Sequence, residues 1–119
     1  KELGRNAVST YKRASSILEQ EKLELKDGPD AVLFKEEEEK ELFERINIIR
    51  KAFTIKEDRK NYEEHLKLLS DTKQSTDKFF EKVKVNDDNN DLKNNRLELL
   101  QILCSTFNTF VDFSKLEGS

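Results

Sequence analysis

The feature that most constrains this chain is the spacing of apolar residues in its last third. Leu97, Leu100, Leu103, Cys104, Phe107, Phe110 and Val111 recur every three or four positions. That period puts them on one stripe of an α-helix, broad enough for the centre of a bundle. The polar run Asn86-Asp87-Asp88-Asn89-Asn90-Asp91 precedes them. It reads as a loop whose last Asn or Asp caps the helix by accepting from the first free backbone N–H groups.

The rest of the chain repeats the pattern. Leu3, Ala7, Tyr11, Ala14 and Leu18 form a stripe on a helix over about Glu2 to Leu25. Gly28, suited to a left-handed C-terminal position, and Pro29 end it. Ala31-Val32-Leu33-Phe34 lacks helical period and reads as an extended connector that tucks Leu33 and Phe34 inward. A second helix, about Lys35 to Ala52, carries Leu42, Phe43, Ile46, Ile49 and Phe53. Glu36 to Glu39 fall in its first turn, where the dipole favours a solvated acidic run. A third helix, about Glu57 to Leu69, and a fourth, about Asp71 to Val83, point Tyr62, Leu66, Leu69, Thr76, Phe79, Phe80 and Val83 inward; the two are continuous or kinked near Ser70. No segment alternates like a strand. The expectation is an all-α bundle of about five helices with short connections.

Length and charge bound the function. The 119 residues fit a single domain, 1–119. The chain lacks methionine and begins at Lys1, so it is expected to be a piece of a longer protein. Charged residues make up 39% and the net charge is −3, so no global basic field draws nucleic acid or anionic membrane. No run approaches the roughly 20 apolar residues of a membrane span. A lone cysteine, Cys104, implies a reducing compartment, and its place in the stripe implies a buried, inert thiol.

Chemistry-bearing residues are sparse. His65 sits beside Glu63 and Glu64 and reads as a surface histidine; with no second histidine, transition-metal ligation is unsupported. Asp87 to Asp91 lacks the glycine and closing glutamate of a calcium loop. The three glycines are scattered, which excludes a phosphate loop. No catalytic constellation and no cofactor site emerge, so the residues indicate a binding or assembly domain. Basic residues do gather near the start: Lys1, Arg5, Lys12 and Arg13 against Glu2. They read either as an exposed helix face or as a phosphate-contacting edge.

Three blocks carry a resemblance. They are Thr76-Asp77-Lys78-Phe79-Phe80-Glu81-Lys82-Val83-Lys84-Val85, then Leu92-Lys93-Asn94-Asn95-Arg96-Leu97-Glu98-Leu99-Leu100, then Val111-Asp112-Phe113-Ser114-Lys115-Leu116. With Tyr11-Lys12-Arg13-Ala14-Ser15-Ser16-Ile17-Leu18 upstream, their order and gaps resemble the C-terminal end of the beta subunit of bacterial glycyl-tRNA synthetase. That family closes with a doubled Phe, an acidic turn and an Arg-x-Asn-Arg-Leu-x-Leu-Leu helix start. Lys93 stands where the family has Arg, Ser16 where it has Asn and Lys84 where it has Met. Lysine keeps the charge at 93 but loses the planar fork.

The resemblance implies a DALR-type anticodon-binding domain, a helical bundle without its own catalytic site or cofactor. It implies a cytoplasmic parent enzyme of two alpha and two beta subunits, in which ATP-dependent glycine activation belongs to the alpha subunit. The implied partner is glycine tRNA, whose anticodons share two cytosines; a carboxylate or an amide oxygen can accept from their amino groups. Lys12, Arg13, Lys93, Asn94 and Arg96 are the candidate RNA contacts. Arg96 has a second reading, in which it pairs with Asp87, Asp88 or Asp91 and holds the turn. Weak binding with a shallow salt dependence is expected of the isolated domain. The competing class is an assembly domain that docks through the exposed residues of Val32 to Phe34.

Overall fold

The computed structural model describes residues 2–21, 28–54 and 62–110. Among them are four α-helices and a short 3-10 turn, with no strand. The helices are α1 (Glu2–Glu21), α2 (Glu37–Thr54), α3 (Tyr62–Lys82) and α4 (Asn90–Phe110); the 3-10 turn is Ala31–Leu33. The all-helical class is as expected, but the count is one lower. The two helices expected either side of Ser70 are one, because Ser70 and Thr72 are buried within a continuous α3 rather than marking a break.

Side-chain contacts fix the helix directions. Asn6 donates to Ser70 (3.2 Å) and Arg13 to Asp77 (3.2 Å), so α1 and α3 run parallel. Asn108 donates to the Tyr11 hydroxyl (3.2 Å) while Lys93 pairs with Glu21 (2.8 Å), so α1 and α4 run antiparallel. The start of α2 meets the start of α4 through Glu39 and Arg96. Both α1 and α2 pack on α3 and on α4, which leaves α1 and α2 on one diagonal of the bundle.

The apolar stripes meet in one core of Ala7, Tyr11, Ala14, Leu42, Ile46, Ile49, Leu69, Phe79, Leu100, Leu103 and Phe107, among others. Expected interior residues Leu18, Phe43, Leu66 and Phe80 are only partly buried at its edge. The side chains of Leu3, Phe53, Tyr62 and Phe110, and all of Val111, lie outside the described residues. Cys104 is buried as expected, and burial pushes its thiol up to about 12. His65 is half-buried rather than fully solvated.

The connector differs from expectation. Ala31 to Leu33 close a 3-10 turn, capped by Asp30, whose carboxylate accepts from the Val32 amide (3.0 Å). Asn95 then grips the Asp30 backbone from α4: its Oδ1 accepts the amide (2.6 Å) and its Nδ2 donates to the carbonyl (3.1 Å). Phe34 is buried, Leu33 is half-buried and Val32 is 88% exposed. Gly28 does not adopt the left-handed conformation, and a Cβ there would meet no atom within 4 Å.

Candidate nucleic-acid interface

Two places gather the candidate residues, and they have different chemistry. The first is the end of the bundle where α2 and α4 start. The acidic run before α4 forms a turn and cap, as its composition implies. Asp87 Oδ1 accepts from the Asn89 amide (2.8 Å), and Asn89 Oδ1 accepts from the Asp91 amide (2.9 Å). The bond from Asn89 and the nearby Arg96 and Lys84 charges hold the Asp87 carboxyl below its ordinary value of 3.8.

Behind this turn Arg96 is almost wholly buried. Its Nε donates to Glu39 Oε1 (3.1 Å), and its Nη1 donates to the Lys84 carbonyl (2.7 Å) and, at 3.4 Å, to Asp87. Glu39 is fully buried, which corrects the picture of Glu36 to Glu39 as a solvated run. It is the third residue of α2, and its Oε2 accepts from the Lys35 and Glu36 amides (2.9 Å each). This is the glutamate half of a capping box. One carboxylate therefore caps α2 and neutralises the cation of α4. Of the two readings of Arg96, the geometry supports the one that holds the turn: its guanidinium is spent inside the fold.

Lys93 and Asn94 lie on the outside of the same end. Lys93 is half-buried and turned toward α1, where it pairs with Glu21. Asn94 is exposed on the outer face of α4.

The second place is the seam between α1 and α3. Arg13 sits over the Phe80 ring, its Cζ 4.3 Å from the ring centroid. Phe80 in turn meets the fully buried Phe79 edge-to-face, with centroids 5.5 Å apart. Asp77 Oδ1 accepts from Arg13 (3.2 Å), and Asp77 Oδ2 accepts from Lys73 Nζ (2.8 Å). The side chains of Arg13 and Asp77 stay 52% and 45% exposed, so this corner is open to solvent. Lys12 is one position earlier, turned about 100° around α1 and away from the seam.

From Asp77 an open polar groove crosses the outside of α3. Asn6, Ser70 and Lys73 line its α1 side, Glu41, Ile48 and Lys78 its α2 side, and Arg45, Gln74 and Ser75 are common to both. The structure thus joins Arg13 to Asp77, Lys73 and Phe80. It does not bring Lys93, Asn94 or Arg96 to that corner: Lys93 meets α1 at Glu21, about 12 Å farther along the axis by helix rise, and on the side facing α4.

Asp77, Lys73 and Phe80 were not candidates from the sequence. They face Arg13 across 60 or more positions, a register that one sequence does not carry. Glu39 had a legible signal, a glutamate three residues after the position that precedes α2.

The comparisons with known proteins fall on the same stretch. The chain is similar to the glycine–tRNA ligase beta subunit of Rickettsia prowazekii, 36% identical over 115 residues, which are 97% of this chain and 17% of that protein. It is similar to the same subunit of Rickettsia africae, 37% identical over 113 residues, or 95% and 17%. For that of Shewanella sediminis it is 42% identical over 110 residues, or 92% and 16%. The chain therefore spans about a sixth of the length of these relatives. The profile of the DALR anticodon binding domain matches residues 8–115, from the first turns of α1 past the end of α4. With that match running through every helix of the bundle, the chain belongs to the DALR anticodon binding domain family.

Proposed function

We propose that this domain reads the anticodon of glycine tRNA as part of a glycine–tRNA ligase beta subunit. The observation that carries the reading is the coincidence of two matches. The anticodon-binding family profile and the ligase beta subunits align to the same residues, through all four helices. The domain contributes recognition, and glycine activation with ATP takes place elsewhere in a cytoplasmic enzyme of two alpha and two beta subunits. No cofactor is assigned to this domain. The Arg13 corner and the groove across α3 supply what unpaired loop bases need: a stacking plane and polar edges. Lys12, Lys93 and Asn94 remain candidate contacts for the flanking strand.

The test uses the full-length protein with and without this domain. Binding is measured to glycine tRNA and to the same tRNA with a substituted anticodon. Removal of the domain is expected to abolish the preference for the native anticodon. An unchanged preference in the deleted protein rejects the proposal.

One observation favours the assembly reading. Val32, held out on the 3-10 turn by the Asn95 grip, exposes 88% of its surface. Loss of subunit association on Val32→Asp, with anticodon preference intact, would support that role.

A further inference from the structure

The corner formed by Arg13, Phe80 and Asp77 has the parts of a base-sized subsite. The ring of Phe80 backs the guanidinium of Arg13, and Phe79 in the core backs Phe80. The ring covers the guanidinium from one side, and half of the Arg13 side chain is exposed to solvent. Beside that plane stands the Asp77 carboxylate. A carboxylate offers about four acceptor sites. Here Arg13 and Lys73 use one on each oxygen, which leaves acceptor capacity on a side chain that is 45% exposed.

We infer that this corner is a cytosine subsite: the base stacks on the outer face of Arg13, and its exocyclic amino group donates to Asp77. Stacking of unpaired bases on guanidinium planes, with edges read by hydrogen bonds, is a general mode of RNA recognition. Asp77 beside the plane is an acceptor only. Where cytosine presents its amino donor, uracil presents a carbonyl oxygen that would face the carboxylate lone pairs, whereas adenine and guanine each carry an amino group that a carboxylate can accept. Asp77 thus selects cytosine over uracil. The choice of cytosine follows from the proposed partner, because glycine anticodons share two cytosines.

The groove supports this division of labour. Arg13, Lys73, Arg45 and Lys78 lie along it, balanced by Asp71, Asp77, Glu41 and Glu44. A near-neutral groove attracts the phosphate backbone weakly and leaves discrimination to the base edges.

The inference rests on the anticodon-reading proposal and adds the base and the residues that read it. Its test compares glycine tRNA with a variant carrying uracil for an anticodon cytosine, on the full-length protein. In Asp77→Asn the amide both donates and accepts, so the preference for cytosine should fall by roughly tenfold. Arg13→Lys keeps the charge and loses the plane. It should weaken binding to both tRNAs and leave their ratio unchanged. Asp71→Asn, in the same groove but off the stacking plane, should leave the ratio unchanged, and thermal melts check that each variant is folded.

If domain deletion abolishes the preference but Asp77→Asn preserves it, the subsite is wrong and the anticodon reading stands. If the preference survives deletion, the anticodon reading itself fails. An equal loss in Asp71→Asn and Asp77→Asn would indicate groove charge rather than a base contact, and would overturn the inference.

Discussion

Arg96→Met tests what holds the end of the bundle together. Methionine fills much of the space of the arginine stem, so little cavity forms and the loss is that of the guanidinium. The bonds to Glu39 at 3.1 Å and to the Lys84 carbonyl at 2.7 Å disappear, with the weaker contact to Asp87. Glu39 keeps its two backbone amides but becomes a buried charge without this countercharge. Breaking a buried pair from one side costs about 3–5 kcal/mol. A domain of 119 residues is stable by roughly 6–18 kcal/mol, so the loss is a large share of the total. At about 4 °C per kcal/mol for this size, the melting temperature should fall by about 12–20 °C.

Glu39→Met should cost a similar amount, since it strands Arg96 and uncaps α2. The double variant carries no stranded charge. Its remaining losses are the cap, about 1 kcal/mol, and the Lys84 carbonyl, about 1–3 kcal/mol. It should therefore be no less stable than either single variant, giving a coupling of about 2 kcal/mol or more in a double-mutant cycle. Thermal and urea unfolding followed by far-UV circular dichroism measures all four species. An Arg96→Met variant within about 1 kcal/mol of the parent, or single effects that simply add, would refute the buried pairing.

Cys104 should resist thiol reagents while the domain is folded. With its pKa at about 12 against 9.0 unfolded, it carries about a thousandfold less thiolate near pH 8, and labelling by an aromatic disulfide should track unfolding. The Asp87 carboxyl should titrate below 3.8 in an NMR experiment. Because its folded value is lowered, its contribution to stability is present above 3.8 and disappears as pH falls through the folded value. Asp87→Asn should remove that part of the acid sensitivity. Binding of the isolated domain to glycine tRNA should depend only weakly on salt, with a slope of log K against log salt of about −1 to −3. A slope near −6 would place several unbalanced cations on the phosphates and contradict the neutral groove.

The helices were legible in the sequence because their signal is local. A period of three to four residues marks the buried face of α4 at Leu97, Leu100, Leu103 and Phe107, and the cap at Asn89 is a contact between near neighbours. The run Ala31 to Leu33 was misread because a 3-10 turn of three residues has no period to detect; Asp30 and Asn95 define it, and they are 65 positions apart. Phe80 was assigned to the core by the stripe that holds Phe79. Its actual place at the rim, under Arg13, depends on how α1 packs on α3. The candidate site failed to assemble for the same reason. Charge and family pattern select residue types, but a site requires the register between helices.

That register separates two uses of arginine in this chain. Both Arg13 and Arg96 meet a carboxylate from a distant helix, and burial decides what each can do. Arg96 is desolvated, its Nε and Nη1 satisfied by Glu39 and the Lys84 carbonyl, so moving it to meet a ligand would strand Glu39. Arg13 is half in water, and its bond to Asp77 belongs to a class of surface pair worth about 0–1 kcal/mol. A ligand that shares Asp77 or covers the guanidinium displaces little from it. The Phe80 ring meanwhile limits the orientations of the arginine plane before binding, reducing the ordering cost. The arginine that fits the family's helix-start pattern secures the scaffold, and the one at the α1–α3 seam keeps an exposed guanidinium, which is what the proposed base subsite requires.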